Sequence, residues 1–443
     1  MLKRSIGKWD LVLLMINSVI GAGIFGLPSR IFKLSGVYSI AALFICAIII
    51  FIIILCFAEV SSRFSKTGGP YVYALEAFGR FPAFLTGWIL LLSRIVTFAA
   101  LINLSVTYLS YFSPFFNDPI ARAFTILFII ATLAWINHIG VENTTKVNNA
   151  LTVAKLLPLL VFIVVGLFNV RPERLEFVDP PAFSNFSSSI FLLVFAFTGF
   201  EATVVSSGEI KEPRKTLPFA LLVSALVIAS LYALIQAVCI GTLTGLATSE
   251  KPLAEAAHLF MGSTGGSLIA AGATVSILGT LNVIMLIGSR LPFALSEEKQ
   301  FPNLFSRLHP TFQTPTRALL LFATLTAIAS ISGTFISSVT ISTITKVIIL
   351  LIVCAALIQL RRKKKDMKDY FKLRYGYALA VASILLCIWL LTSTSRKEIR
   401  DVSIVLLAGA ALYCIAWFTK KRKDKLESIK SDNSRVKNQI ELE

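Results

Sequence analysis

With 443 residues, 56% of them hydrophobic and only 15% charged, the chain does not read as a soluble globular protein, in which about 25% of residues are charged. The formal net charge of +18 would suit a nucleic-acid partner, but the basic residues fall in short clusters between apolar runs, notably RRKKK at 361–365 and KKRKDK at 420–425. That pattern reads as basic cytoplasmic loops, and no nucleic acid is expected. Six cysteines, all within apolar runs and none at metal-type spacing, exclude a zinc site or a disulfide framework as organising features.

Apolar runs of about 20 residues recur along the chain, each long enough to cross a hydrocarbon core of ~30 Å at ~1.5 Å per residue. Spans are predicted at 11–31, 38–62, 83–112, 121–137, 150–170, 187–207, 218–244, 266–292, 316–335, 338–360, 375–393 and 402–419. The run after Lys3, Arg4 and Lys8 is too long for a signal peptide and reads as the first span. SGTF at 332–335 is the only break between the ninth and tenth spans. Twelve spans put both termini on one side of the membrane, and the excess of Lys and Arg in alternate loops makes that side the cytoplasm. The polar segment 420–443 reads as a cytoplasmic tail. Short loops fit a bacterial inner-membrane protein.

Two spans carry glycines where an unbroken helix would avoid them. VIGAGIFGLP at 19–28 places Gly21, Gly23 and Gly26 in the middle of span one. Each glycine costs a helix ~1 kcal/mol against alanine. The cluster therefore marks either a close helix contact or an unwound stretch lining a cavity. FAFTGFEA at 195–202, in span six, repeats the pattern with Gly199 beside Thr198 and with Glu201 close by. Interrupted spans in corresponding positions of two five-helix halves point to a binding site at the midplane. An intramembrane carboxylate such as Glu201 is costly and faces protein or water, as a proton relay, a ligand for a cationic group, or an anchor for its helix. Glu59, Glu76 and Arg290 read as parts of a cytoplasmic-surface network. No Walker loop, GxSxG elbow, HExxH or dinucleotide fingerprint occurs in a suitable context, so neither an enzyme nor a cofactor or metal is expected.

Four segments in this order resemble the amino acid–polyamine–organocation superfamily of permeases: GAGIFGLP, FAEVSSRFSKTGGPYVYALEAFGRFPAFLTGW at 57–88, FAFTGFEA followed by GEIKEPRKTLP at 208–218, and GSRLPFALSEEKQFP at 288–302. The resemblance implies an all-α membrane protein of about 12 transmembrane helices with a LeuT-like fold. Residues 1–360 would form a transport core of two inverted five-helix repeats. A basic loop with helices eleven and twelve would follow at 361–419, and then the tail.

In such proteins the substrate carboxylate meets backbone N–H groups at the first break, which here are Ala22, Gly23 and Ile24. The ammonium meets carbonyls that correspond to Val19, Phe195 and Thr198, while Ile20, Gly21, Ala196 and Gly199 complete the two broken segments. Phe195 occupies the position of the aromatic gate. Ala22 stands where many relatives carry serine, so a hydroxyl bond to the carboxylate is missing. Similar family members carry a lysine at the position of Lys155, where an ammonium or a titrating amine replaces sodium; the competing reading is a side chain snorkelling to the interface. Ser276 and Thr280 are its expected neighbours.

The function implied is secondary transport of amino acids by alternating access, proton-coupled in the sense that a proton takes the place of sodium. The partners are then a small amino acid or amine, protons and membrane lipid. An amino acid/polyamine exchanger is the alternative within the class, and a non-transporting amino-acid receptor the alternative outside it. Binding without flux would single out the receptor.

Overall fold

The computed structural model describes residues 7–21, 23–64, 69–139, 145–200, 210, 212–298, 300–363 and 370–414, and for 145–154, 213 and 214 the backbone alone. The regular elements among them are helices. In chain order they are α1 (Lys8–Val19), α2 (Gly23–Gly26), α3 (Pro28–Ser35), α4 (Ser39–Ser62), α5 (Pro70–Phe78), α6 (Arg80–Leu109) and α7 (Pro119–Ile139). There follow α8 (Thr145–Leu167), α9 (Phe183–Phe197), α10 (Pro213–Thr242), α11 (Pro252–Glu297), α12 (Thr316–Ser332), α13 (Phe335–Lys363) and α14 (Gly376–Thr392), with α15 at Arg396–Cys414.

Each predicted span overlaps at least one of these helices, with informative differences. Span one is three pieces, interrupted after Val19. A short helix, α5, precedes the third span where a loop was expected. Helix α11 begins at Pro252 rather than at 266 and bends at Gly262, whose φ is 68°. Its first turns are rich in alanine, and Ala254, Ala256 and Ala257 are fully buried. They are too small to register as a hydrophobic run, yet alanine is the best helix former.

Among the described residues six segments are long and apolar enough to cross a membrane: Pro28–Ser62, Arg80–Leu109, Pro119–Ile139, Lys215–Thr242, Pro252–Glu297 and Phe335–Lys363. A seventh results if Gly376–Thr392 and Arg396–Cys414, bent by 116° at their junction, form one span. Lys155–Leu167, Phe183–Phe197 and Thr316–Ser332 are apolar but shorter. A helix interrupted near its middle falls below such a threshold because neither half spans ~30 Å alone.

Helix α6 lies at the centre, the most buried of these segments, and packs most extensively against α13 and α11. Asn103 of α6 donates to the Ser330 carbonyl of α12 at 2.9 Å, and Thr97 bonds Ser342 of α13 at 2.7 Å. Helix α7 lies at the periphery and turns Phe124, Phe128 and Trp135 outward. Large apolar side chains on an outer face belong in contact with hydrocarbon.

A buried ion cluster ties α4 to α13. The carboxylate of Glu59 is fully buried, accepts from Arg63 Nη2 at 2.7 Å and Arg361 Nε at 2.8 Å, and takes the Leu373 backbone N–H at 2.9 Å. The Arg63 guanidinium also lies over the Tyr370 ring, 4.5 Å from its centroid. Arg361 opens the basic run read from sequence as a loop, so part of that run is structural. Removing one member of a buried ionic cluster leaves the others uncompensated, at ~3–5 kcal/mol. Glu59→Ala is expected to destabilise the protein by about that amount, read as a lower midpoint of thermal unfolding in detergent, with Glu59→Gln falling less because it keeps an acceptor.

Candidate functional site

The site is built where two helices stop. Helix α1 ends when Ile20 leaves helical geometry (φ −70°, ψ 97°). Helicity resumes at Gly23, and the Leu27 N–H bonds the Gly23 carbonyl at 3.0 Å and the Ile31 N–H the Leu27 carbonyl at 2.9 Å, so α2 runs on into α3. Helix α9 ends at Phe197, after which Thr198 is extended (φ −90°, ψ 152°) and Gly199 has φ 135°.

The two breaks touch. A Cβ on Gly23 would lie 2.7 Å from Ala196 Cα, and one on Gly199 would collide with the Ser18 carbonyl oxygen. Only glycine fits at Gly199, which needs both the left-handed φ and the missing side chain. At Gly23 the requirement is space alone.

Carbonyls freed at a break inside a membrane need donors from the protein. Lys155 of α8 supplies two, its Nζ donating to Asn17 O at 2.6 Å and Ile20 O at 2.9 Å. The lysine is 9% exposed, so its head group rests on the end of α1 rather than at an interface. The Tyr232 hydroxyl of α10 lies 3.3 Å from Val19 O and 3.2 Å from Ala196 O, touching both breaks at once. Thr198 Oγ1 donates back to Phe195 O at 2.9 Å. Lys346 of α13 donates to Thr198 Oγ1 at 2.8 Å and lies 4.4 Å from the centroid of the Phe195 ring.

Of the residues expected from sequence, Val19, Ile20, Gly21, Gly23, Ile24, Phe195, Ala196, Thr198 and Gly199 lie at these two breaks. Ala22 and Glu201 lie outside the described residues. A Cβ on Gly21 would stand 3.9 Å from Thr280 Oγ1, which puts Thr280 beside the first break. Its hydroxyl donates to Ser276 O at 3.0 Å, and the buried Ser276 hydroxyl finds no hydrogen-bond partner among the described residues. A crevice of about 10 Å³, room for about one water molecule, adjoins the breaks, bounded in part by Gly23, Ile24, Ala196, Tyr232 and Gln236.

Sequence reading passes over Tyr232, Gln236 and Lys346. Tyr232 and Gln236 stand four apart on one face of α10, where Gln236 Nε2 donates to Pro28 O at 3.2 Å and to Ser39 Oγ at 2.9 Å. Nothing in an apolar run marks which face looks inward. Lys346 did carry a signal: it is the one charge between Phe335 and Leu360, and an intramembrane charge points to function by default.

The sequence profile described as Amino acid permease matches residues 6–415. The chain belongs to the amino acid permease family. Across 437 residues it is 28% identical to the branched-chain amino acid permease BcaP of Bacillus subtilis (strain 168), covering 93% of this chain and 92% of the relative. It is 29% identical over 439 residues to the serine/threonine exchanger SteT of the same organism, covering 95% and 98%. It is 27% identical over 435 residues to that organism's methylthioribose transporter, covering 93% of each. The family and these relatives are membrane transporters, not enzymes, and this permease is accordingly an integral membrane protein and a transporter.

In this permease Lys155 is expected to hold the end of α1 in place. Lys155→Met removes the donors to Asn17 and Ile20, and leaving a buried carbonyl without a partner costs ~1–3 kcal/mol. Hydrogen–deuterium exchange is expected to speed up over residues 17–24 while α6 stays protected; unchanged exchange there would mean that the lysine contributes little to the break.

Proposed function

We propose that the chain is a secondary amino-acid transporter that works by alternating access and is coupled to protons. The observation that carries this reading is the contact of two interrupted helices, with Gly23 against Ala196 and Gly199 against Ser18. Backbone groups concentrated at such a junction suit a compact zwitterion. Free N–H groups at the start of a half-helix favour a carboxylate, and carbonyls at the end of one favour an ammonium.

The reading assigns the carboxylate to the amides of Ala22, Gly23 and Ile24 and the ammonium to carbonyls among Val19, Phe195 and Thr198. Ile20, Gly21, Ala196 and Gly199 complete the walls, and Phe195 acts as the aromatic gate. It takes the full chain as twelve spans, two inverted five-helix repeats within 1–360 and two further helices within 361–419, with both termini and the 420–443 tail in the cytoplasm. The names of BcaP and SteT favour an amino acid as the cargo, whereas the methylthioribose transporter is a relative with a different one. Exchange is the second reading, favoured by SteT.

Proton coupling is assigned to Lys155. Protonated, it donates to both carbonyls at the end of α1 and pins that half-helix to α8. Loss of the proton weakens the tie and frees α1 to move. Ser276 and Thr280 are assigned to the same junction, Thr280 because it stands beside Gly21, and Glu201 is assigned a relay or anchoring role.

The test is counterflow in proteoliposomes with labelled amino acids and polyamines, at two internal pH values and with or without sodium. Accumulation of amino acids that responds to pH and ignores sodium is expected. Folded protein that binds amino acid without any flux would favour a receptor instead. Gly23→Leu is expected to abolish counterflow, at least tenfold below the parent, while a monodisperse gel-filtration peak persists; normal uptake would remove the proposed site. Lys155→Met is expected to flatten the pH dependence of whatever flux remains.

A further inference from the structure

The buried carboxylate of Glu59 holds more than α13. Glu59 Oε2 takes the Leu373 N–H at 2.9 Å, Arg361 Nη2 donates to the Leu373 carbonyl at 2.8 Å, and the Phe371 N–H bonds Ser62 Oγ at 3.1 Å. The Tyr370 ring lies against the Arg63 guanidinium. Residues 370–373 therefore form a strap, fastened by backbone and side chain to the ends of α4 and α13, just before α14 begins at Gly376.

Fastening from beneath sorts the side chains. Tyr370 and Leu373 are buried, whereas Lys372 and Arg374 are exposed. Among the described residues neither cation makes an ion pair. Tyr375 and Tyr377 follow, both exposed. From Tyr377 an exposed stripe continues along α14 through Val381, Leu385 and Ile388, spaced so that they share one face of the helix.

Two cations, then tyrosines, then an apolar stripe match the layers of a phospholipid from charged headgroup through interface to acyl chain. Tyrosine settles at the interface, and basic residues beside it attract anionic headgroups. A mobile loop would lose conformational freedom on binding a headgroup. Here the backbone is already fixed by the Glu59 cluster, so the two cations are presented with much of that cost removed.

We propose that Lys372 and Arg374, with Tyr375 and Tyr377, bind the headgroup of an anionic phospholipid whose acyl chain lies along Val381, Leu385 and Ile388, and that lipid held there braces the strap over Glu59. The protein then senses the anionic lipid of its membrane through a segment apart from the helix breaks.

The experiment titrates phosphatidylglycerol, and phosphatidylcholine as the neutral comparison, into the purified full chain in detergent, with bound lipid counted by native mass spectrometry. The parent should bind phosphatidylglycerol the more tightly. In Lys372→Gln/Arg374→Gln that affinity should fall about tenfold or more, the loss expected of two cationic contacts to one headgroup. Both side chains are exposed, so the fold should persist. Arg396→Gln/Lys397→Gln, which neutralises an exposed basic pair at the far end of α14, should change the affinity little. In nanodiscs, replacing part of the phosphatidylcholine by phosphatidylglycerol should slow hydrogen–deuterium exchange over 370–373 in the parent and not in Lys372→Gln/Arg374→Gln.

Equal binding of the two lipids by the parent, or undiminished binding by Lys372→Gln/Arg374→Gln, overturns the proposal. Equal losses in the two double variants overturn it as well, because they would mean diffuse attraction to a basic protein. Site-specific binding with unchanged exchange over 370–373 refutes the bracing of the strap.

Discussion

Everything at the centre of this permease follows from one constraint: two helices are interrupted inside a nonpolar layer, and their severed hydrogen-bonding groups must be answered by other side chains. Water cannot do it in hydrocarbon. The sequence meets the demand with long polar side chains drawn from distant helices. Lys155 reaches the end of α1 from α8, Tyr232 touches both breaks from α10, and Lys346 reaches Thr198 from α13. The breaks can in turn approach each other only because Gly23 and Gly199 lack side chains.

The division between anchored and adaptable parts follows from the same facts. Helix α6 is held by bonds to α12 and α13, and α4 is clamped to α13 through the buried carboxylate of Glu59. The half-helices also pack broadly, α1 against α10 and α9 against α4, but at their broken ends they are joined to other helices through side-chain tips. Such contacts re-form after a small displacement more readily than an interdigitated core repacks.

Much of this was legible in the sequence. Hydropathy located the apolar helices, six of which among the described residues are long enough to cross a bilayer, and paired glycines located the breaks because a helix tolerates them poorly. The separation of α12 from α13 at SGTF was also readable, from a single loop-forming tetrapeptide. What escaped was which face of a uniformly apolar helix turns inward. Tyr232 looks in sequence like any buried aromatic, and only the three-dimensional register of α10 sets its hydroxyl against two carbonyls. The alanine-rich start of α11 escaped for another reason: small side chains bury well but contribute little to a hydropathy sum. Lys346 is visible as a lone charge in an apolar run, but nothing in the sequence ties it to the glycine motifs of the breaks. Ala22 and Glu201, which the sequence singles out, fall outside the described residues, so their part in the site rests on the motif alone.

The hydroxyl of Tyr232 has one proton and faces two acceptors at nearly equal distance, Val19 O at 3.3 Å and Ala196 O at 3.2 Å. It can donate to only one of them at a time. One rotatable hydrogen thus decides which half-helix end is tied to α10 at a given moment, and the choice can change without any movement of the backbone.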